Sequence, residues 1–194
     1  MKVTKIEAAA QAVSRWSGGT TTQLAICPPD AVYAERDFLW RLSSAVVELP
    51  ESDFTPLPDY DRILMILDGQ LSLSHDGEEE YTLRTLEQTF FDGASHTFSR
   101  GQVTDFNLMM RKGRCTGRVE ARRLTTRDTW DDVLTVDHDS HLFYCVAGET
   151  AVEVDGETVR LTKGDAMLVE RDGGAACCSV SGDAVLVLAE MKKL

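Results

Sequence analysis

Apolar and polar residues alternate along much of the chain, and this period of two is typical of β-strands. Residues 71–74 and 152–154 alternate in this way, whereas residues 63–67 and 184–188 are continuous apolar runs with the length of buried strands. Segments with the 3.6-residue period of a helix are scarce. Turns that combine Gly with Asp separate the runs, at residues 68–69, 76–77, 92–93, 155–156, 164–165, 172–173 and 182–183. The pattern predicts an all-β chain of sandwich or barrel type.

The same turns show an internal repeat. Gly69 and Gly148 are each followed by a second glycine eight residues later, and the two pairs are offset by 79 residues. The segments between these glycines agree in kind, so two copies of one β unit explain them better than chance does. We therefore expect an N-terminal, ligand-binding domain over residues 1–115 and a C-terminal domain over residues 116–194 that serves mainly as scaffold.

Composition and charge narrow the function classes. The 194 residues are 43% hydrophobic and 27% charged, which excludes disordered, collagen-like and coiled-coil chains. The net charge of -12 repels phosphates and anionic lipids, so neither a nucleic acid nor a membrane is an expected partner. The sequence shows neither a signal peptide nor a run of about 20 apolar residues, and we expect a cytoplasmic protein.

The second copy of the repeat resembles the cupin superfamily. Residues 146–148, 154–157 and 161–165 have the strand, the hairpin and the Gly-Asp turn of that family's jelly-roll barrel. With two copies in one chain, the resemblance implies a bicupin, which consists of two jelly-roll β-barrels.

Cupins that catalyse reactions usually hold a metal ion through two His and one Glu of a first motif and one His of a second. Counting back from Gly69 places Arg62 at the Glu position, and a guanidinium cannot ligate a cation. The second motif keeps only Gly93 and His96, and one imidazole does not make a metal site. In the second copy, we interpret residues 138–141 as a polar loop entering a strand, with weak chelation by His138 and His141 as the alternative. We therefore expect no metal ion and no other cofactor.

An arginine in the place of a metal ligand favours an anion, because the guanidinium fork binds a carboxylate through two parallel hydrogen bonds. Residues 38–45, 54–62 and 103–109 carry polar side chains in an apolar context around this arginine. We expect a small-molecule carboxylate as the ligand, and the sequence is compatible with a homodimer. The candidate ligand-binding residues are Arg62, Arg41, Asp105, Asn107, Ser43, Trp40, Asp61, His96, Gln23 and Trp16.

Several of these side chains have a second interpretation. Arg62 could form a buried ion pair with a neighbouring aspartate instead of contacting a ligand. Arg41 follows Trp40 in a predicted strand, so one of them faces inward and the other outward. Asp105 and Asn107 share one face of a strand, where they could orient the arginines or form a polar network that fixes the register.

Four ordered motifs resemble the HutD/Ves family of bacterial bicupins. They are the opening at residues 16–24, Trp-Arg-x-Ser at 40–43, Phe-x-x-x-Pro-x-x-Asp-Arg at 54–62 and Asp-Phe-Asn at 105–107. The opening departs from the family pattern, because it is shortened and has Ser17 in place of Asn. The resemblance implies a metal-free bicupin that accompanies histidine degradation and binds an intermediate such as N-formylglutamate.

N-formylglutamate is a small dicarboxylate, and Arg41 and Arg62 could hold its two carboxylates. Two other functions stay open from the sequence. A metal-free enzyme, either an isomerase or an amide hydrolase, could use His96 with Asp105 or Asp61 as general base, and a structural protein could use its C-terminal barrel for dimerisation. No nucleophile with its own base is visible, so no catalytic residue is predicted and binding is favoured over catalysis.

Overall fold

The computed structural model describes residues 1–134 and 137–194, and the chain divides into two all-β units. Unit 1 comprises Ala12–Thr116, and unit 2 comprises Met1–Gln11 with Gly117–Leu194. The first eleven residues differ from the predicted domain range because their strand pairs within unit 2. None of the helices in the described part of the chain is long and apolar enough to cross a membrane.

The described residues form sixteen strands and two short 3-10 turns, the latter at Ala8–Ala10 and Tyr33–Glu35. In chain order the strands are β1 (Lys2–Ile6), β2 (Ala12–Trp16), β3 (Gly19–Cys27), β4 (Trp40–Val47), β5 (Glu51–Asp53), β6 (Tyr60–His75), β7 (Tyr81–Arg84), β8 (Gln88–Asp92), β9 (Thr97–Arg100), β10 (Val103–Arg111), β11 (Cys115–Leu124), β12 (Thr129–Leu134), β13 (Ser140–Val154), β14 (Glu157–Thr162), β15 (Ala166–Glu170) and β16 (Ala176–Lys193).

Unit 1 is built around the long strand β6. The sheet order is β2-β3-β4-β10-β6-β9-β5, and β7 and β8 also pair with β6. The first half of β6 pairs with β10 and β8, and its second half pairs with β7 and β9, so this strand joins the two faces of the unit. Its inward side is apolar from Leu64 to Leu73, where Ile66 and Leu71 pack with Val103 of β10.

Unit 2 repeats this plan around β13. The order is β1-β15-β13-β16-β11, with β12 paired to β16 and β14 paired to β13. β1 forms five register pairs with β15, which places the first residues of the chain in this unit. The main apolar core of unit 2 is larger than that of unit 1 and has fully buried side chains such as Phe143, Val152 and Met167. Apolar burial of this kind is the main stabilising term of an all-β domain.

The sequence repeat has a structural counterpart in the two long strands. Gly69 of β6 and Gly148 of β13 both adopt positive φ, at +91° and +75°. At each of them a Cβ atom would lie too close to a backbone oxygen of the adjacent chain, at 2.9 Å from Gln102 O and at 2.0 Å from Asp183 O. The same close approach in both units explains why glycine recurs at this offset.

Replacing Gly148 with alanine is expected to destabilise unit 2 more than the same change at Gly156. Both glycines have positive φ, so alanine costs about 1–2 kcal/mol of unfolding free energy at either position. Only Gly148 also meets a backbone oxygen, whereas nothing lies within 4 Å of a Cβ at Gly156. The steric contact should add about 1–3 kcal/mol, measured by urea denaturation of both variants. Equal losses would contradict the close approach.

Candidate functional site

Three neighbouring strands bring the polar residues of unit 1 to one inward face. Met109 of β10 lies opposite Arg41 of β4 and opposite Arg62 of β6 in the two ladders. Alternate residues of a strand share a face, so Asn107 and Asp105 project to the same side as Met109. The apolar end of this inward face continues into a polar end, and a cavity of about 290 Å³ opens there.

Six of the predicted residues line this cavity: Arg62, Arg41, Asp105, Asn107, Ser43 and Trp16. A seventh, Gln23, supports the cavity from β3 through a contact with Arg41. These residues lie far apart in the sequence, and the antiparallel pairing of β3, β4, β10 and β6 brings them together. The structure therefore assembles most of the predicted set in one place.

Arg41 is a buried cation whose orientation is fixed by its neighbours. Its Nε donates a hydrogen bond to Gln23 Oε1 at 2.9 Å, and its Nη1 donates one to Ser43 Oγ at 3.2 Å. Its guanidinium carbon lies 4.1 Å from the centre of the Tyr33 ring, a cation–π contact. Burial lowers the pKa of Arg41. Neutral partners hold the guanidinium in place without neutralising its charge.

Arg62 is only 5% exposed, and its Nε has no hydrogen-bond partner among the described residues. The guanidinium carbon lies 4.9 Å from the ring centre of Phe54 and 5.1 Å from that of Phe91. Burial lowers its pKa to about 10, so the side chain is still a cation at neutral pH. An unpaired buried donor and charge are costly, and an anion in the cavity would satisfy both.

Asp105 and Asn107 also line the polar end of the cavity. Burial raises the pKa of Asp105 to about 7, although the Arg62 charge and the backbone N–H of Ala45 lower it. Near neutral pH this carboxyl therefore holds a proton for part of the time and can donate a hydrogen bond. The Oδ1 of Asn107 is buried without a hydrogen-bond partner in the described residues, so it offers an acceptor.

Two further cavity residues come from the loop between β3 and β4, and no periodic pattern predicts them. Tyr33 belongs to a 3-10 turn, and Arg36 follows that turn with a φ of +56°. The Arg36 guanidinium carbon lies 3.8 Å from the centre of the Tyr33 ring, whose environment also includes Arg41. The cavity thus contains three guanidinium groups, one more than the sequence predicts.

Trp40, Asp61 and His96 do not line the cavity. Trp40 and Asp61 are each adjacent to a cavity arginine in their strands and lie opposite Met110 in the ladders, so they project to the other face. His96 lies in the turn between β8 and β9, where its side chain is 67% exposed and its Nε2 is 3.1 Å from Asp53 Oδ1. Strand alternation explains the first two positions, and the exposed turn explains the third.

The fold and the site together define an all-β protein of bicupin type with an arginine-lined cavity in unit 1. The Cupin 2 conserved barrel domain protein from Leptotrichia buccalis shares this fold, with a TM-score of 0.57 at 12% identity over 99% of this chain and 98% of that chain. The family model of HutD matches residues 8–188. The chain belongs to the HutD family, which confirms the resemblance found in the sequence.

Relatives of known sequence or structure agree with this assignment. Protein Ves from Cronobacter sakazakii is 34% identical over 125 residues, which are 59% of this chain and 65% of Ves. HutD from Pseudomonas fluorescens SBW25 has a TM-score of 0.81 at 26% identity and covers 100% of both chains. The conserved protein PA5104 from Pseudomonas aeruginosa PAO1 has a TM-score of 0.87 at 24% identity, over 99% of this chain and 100% of that chain.

Removing the Arg62 charge is expected to raise the pKa of Asp105 further, because that charge stabilises the ionised carboxylate. In the wild-type protein the Asp105 carboxyl carbon should titrate near pH 7 in ¹³C NMR, and in Arg62→Met it should titrate higher. Lys112→Met is the matched control, because Lys112 pairs with Asp92. A wild-type Asp105 that titrates near pH 4, or an Arg62→Met variant without a shift, would contradict the electrostatics described above.

Proposed function

We propose that unit 1 binds a small carboxylate metabolite without a metal ion and that the protein has a regulatory or accessory role in histidine utilisation. The buried Arg62 guanidinium, whose Nε has no hydrogen-bond partner among the described residues, is the observation that supports this proposal most strongly. The role in histidine utilisation rests on membership of the HutD family. A metal ion does not fit here, because Arg62 and Arg41 would repel it.

The cavity suits a ligand with two carboxylates and one amide. Its volume of about 290 Å³ is at the lower end of the usual range for small-molecule sites. Arg62 and Arg41 would each hold one carboxylate, and the unpartnered Asn107 Oδ1 would accept a hydrogen bond from an amide N–H. A protonated Asp105 would donate a hydrogen bond to an oxygen of the ligand. N-formylglutamate has these groups, and it is our proposed ligand.

One observation favours a second candidate function, a metal-free enzyme such as an isomerase or an amide hydrolase. A buried carboxyl with a pKa of about 7 is suited to general acid–base catalysis. His96 would not assist Asp105, because its ring contacts Asp53. Incubating the protein with N-formylglutamate and following the formyl proton by NMR separates the two functions. Stoichiometric binding without turnover supports the binding protein, release of formate supports the amide hydrolase, and a new formyl-proton signal without formate supports the isomerase.

Binding of N-formylglutamate should raise the midpoint of thermal unfolding in the presence of EDTA, because a ligand that binds only the native state stabilises it by mass action. Glutamate, urocanate, histidine and formate are compared under the same conditions. Arg62→Met should lose about 2–5 kcal/mol of binding free energy by calorimetry, since a charged hydrogen-bond partner of the carboxylate disappears.

The matched control for this experiment is Arg100→Met in the same unit. Arg100 is exposed on β9 and pairs with Glu51 and Glu80, so its loss should leave the affinity unchanged. Retained affinity in a folded Arg62→Met variant would refute the site. If none of the five compounds raises the unfolding midpoint of the wild-type protein in EDTA, the proposed class of ligand is wrong.

The affinity for N-formylglutamate is expected to fall as the pH rises from 6 to 8. Asp105 has its pKa raised to about 7, so it is mostly protonated at pH 6 and can donate a hydrogen bond, whereas at pH 8 its negative charge repels the ligand. The other charged groups that line the cavity are Arg36, Arg41, Asp53 and Arg62, and the pKa of about 10 keeps Arg62 a cation throughout. Because binding is linked to the single proton of Asp105, the affinity can fall by at most about tenfold per pH unit. Calorimetry should show an affinity that falls with pH in the wild-type protein and an affinity that does not change with pH in Asp105→Asn.

A further inference from the structure

Three side chains of unit 2 converge on a point that the carboxylate site does not use. His141 of β13 and Glu190 of β16 are opposite each other in the ladder, and they are 0% and 2% exposed. His138 lies three residues before His141, with a side chain that is 17% exposed. One nitrogen of each histidine and one carboxylate oxygen of Glu190 all lie within 4.8 Å of one another.

Both histidines lie at ion-pair distance from Glu190. His141 Nε2 is 3.5 Å and His138 Nδ1 is 3.7 Å from Glu190 Oε1, and neither nitrogen has a hydrogen-bond partner in the part of the chain that the structure describes. Polar atoms that are this deeply buried normally have partners. The two nitrogen–oxygen distances are close to the spacing of ligands around a metal ion, since two ligands with bonds of about 2.0–2.1 Å are about 3.3 Å apart in a tetrahedral site.

The surroundings of Glu190 orient it toward the histidines. Arg118 of β11 donates a hydrogen bond from Nε to Glu190 Oε2, which leaves Oε1 on the side of the two imidazole rings. A hydrogen bond to the second oxygen is the usual way in which proteins hold a ligating carboxylate. The set of two histidines and one carboxylate is one that zinc and other first-row transition ions prefer.

We propose that unit 2 binds one divalent transition-metal ion, such as Zn²⁺, through His138 Nδ1, His141 Nε2 and Glu190 Oε1. Three protein ligands leave a fourth position for water or a small ligand. The repeat offset of 79 residues places His141 at the position that Arg62 has in unit 1. In this proposal the same strand position carries an anion-binding group in unit 1 and a metal-binding group in unit 2. The proposed metal ligands all belong to unit 2, so the proposal is independent of the carboxylate site.

Metal titration of the intact chain tests this proposal. After the protein is stripped with chelator and exchanged into metal-free buffer, Zn²⁺ should bind with 1:1 stoichiometry in calorimetry. Co²⁺ should give d–d absorption without the near-ultraviolet bands of a cobalt–thiolate bond. The variant His138→Gln removes a partly exposed ligand and leaves the core intact. It should weaken Zn²⁺ binding by more than about 100-fold, since changes in the outer shell alone cost about 10- to 100-fold.

Glu190→Gln tests the carboxylate ligand in the same way, with circular dichroism and the unfolding midpoint as the check on folding. His96→Gln is the matched control, because His96 is an exposed histidine of unit 1 that contacts Asp53. The proposal is overturned by Zn²⁺ affinity that is unchanged in His138→Gln, by thiolate bands in the Co²⁺ spectrum, or by the lack of 1:1 binding at millimolar Zn²⁺. Failure of this test leaves the carboxylate binding of unit 1 untouched, and the converse also holds.

Discussion

A buried cation whose Nε has no hydrogen-bond partner among the described residues is the constraint on which unit 1 depends. The Arg62 guanidinium lies close to the rings of Phe54 and Phe91, and burial lowers its pKa to about 10 without discharging it. Desolvating such a charge costs several kcal/mol, which the apolar end of the same barrel must offset. The neighbouring Asp105 responds to the same desolvation, and its pKa is raised to about 7. These properties are the reason why an anionic ligand is proposed for this cavity.

The two units show how one strand arrangement supports different chemistry. In both, a long central strand pairs with a neighbour at a glycine that the adjacent backbone approaches closely. Near the start of that strand, unit 1 has Arg62 and unit 2 has His141, both buried. Because the backbone fixes where these side chains project, the residue type at this position is the basis for proposing a different class of ligand in each unit. The sequence predicts a scaffold role for the C-terminal domain, and that role does not explain the cluster of His138, His141 and Glu190.

The period of two and the Gly-Asp turns were sufficient to predict the strands, the repeat and the all-β class. The motifs also place Arg41, Asp105 and Asn107 in one predicted site, and the pairing of β4, β10 and β6 brings the three side chains to one cavity. The same alternation excludes Trp40 and Asp61 from the cavity, a result that was open while the inward face of each strand was unknown. Tyr33 and Arg36 lie in an irregular loop, where no periodic pattern predicts the direction in which a side chain projects.

The sequence by itself determined which segments become strands, where they turn and which residues of a strand share a face, because these properties depend on neighbours a few positions away. Only the tertiary structure decided which strands lie side by side and how deeply each polar group is buried. Glu190 joins His141 through a ladder pair between residues 49 positions apart. The pKa of Asp105 likewise depends on desolvation by distant strands, and no local pattern encodes that packing.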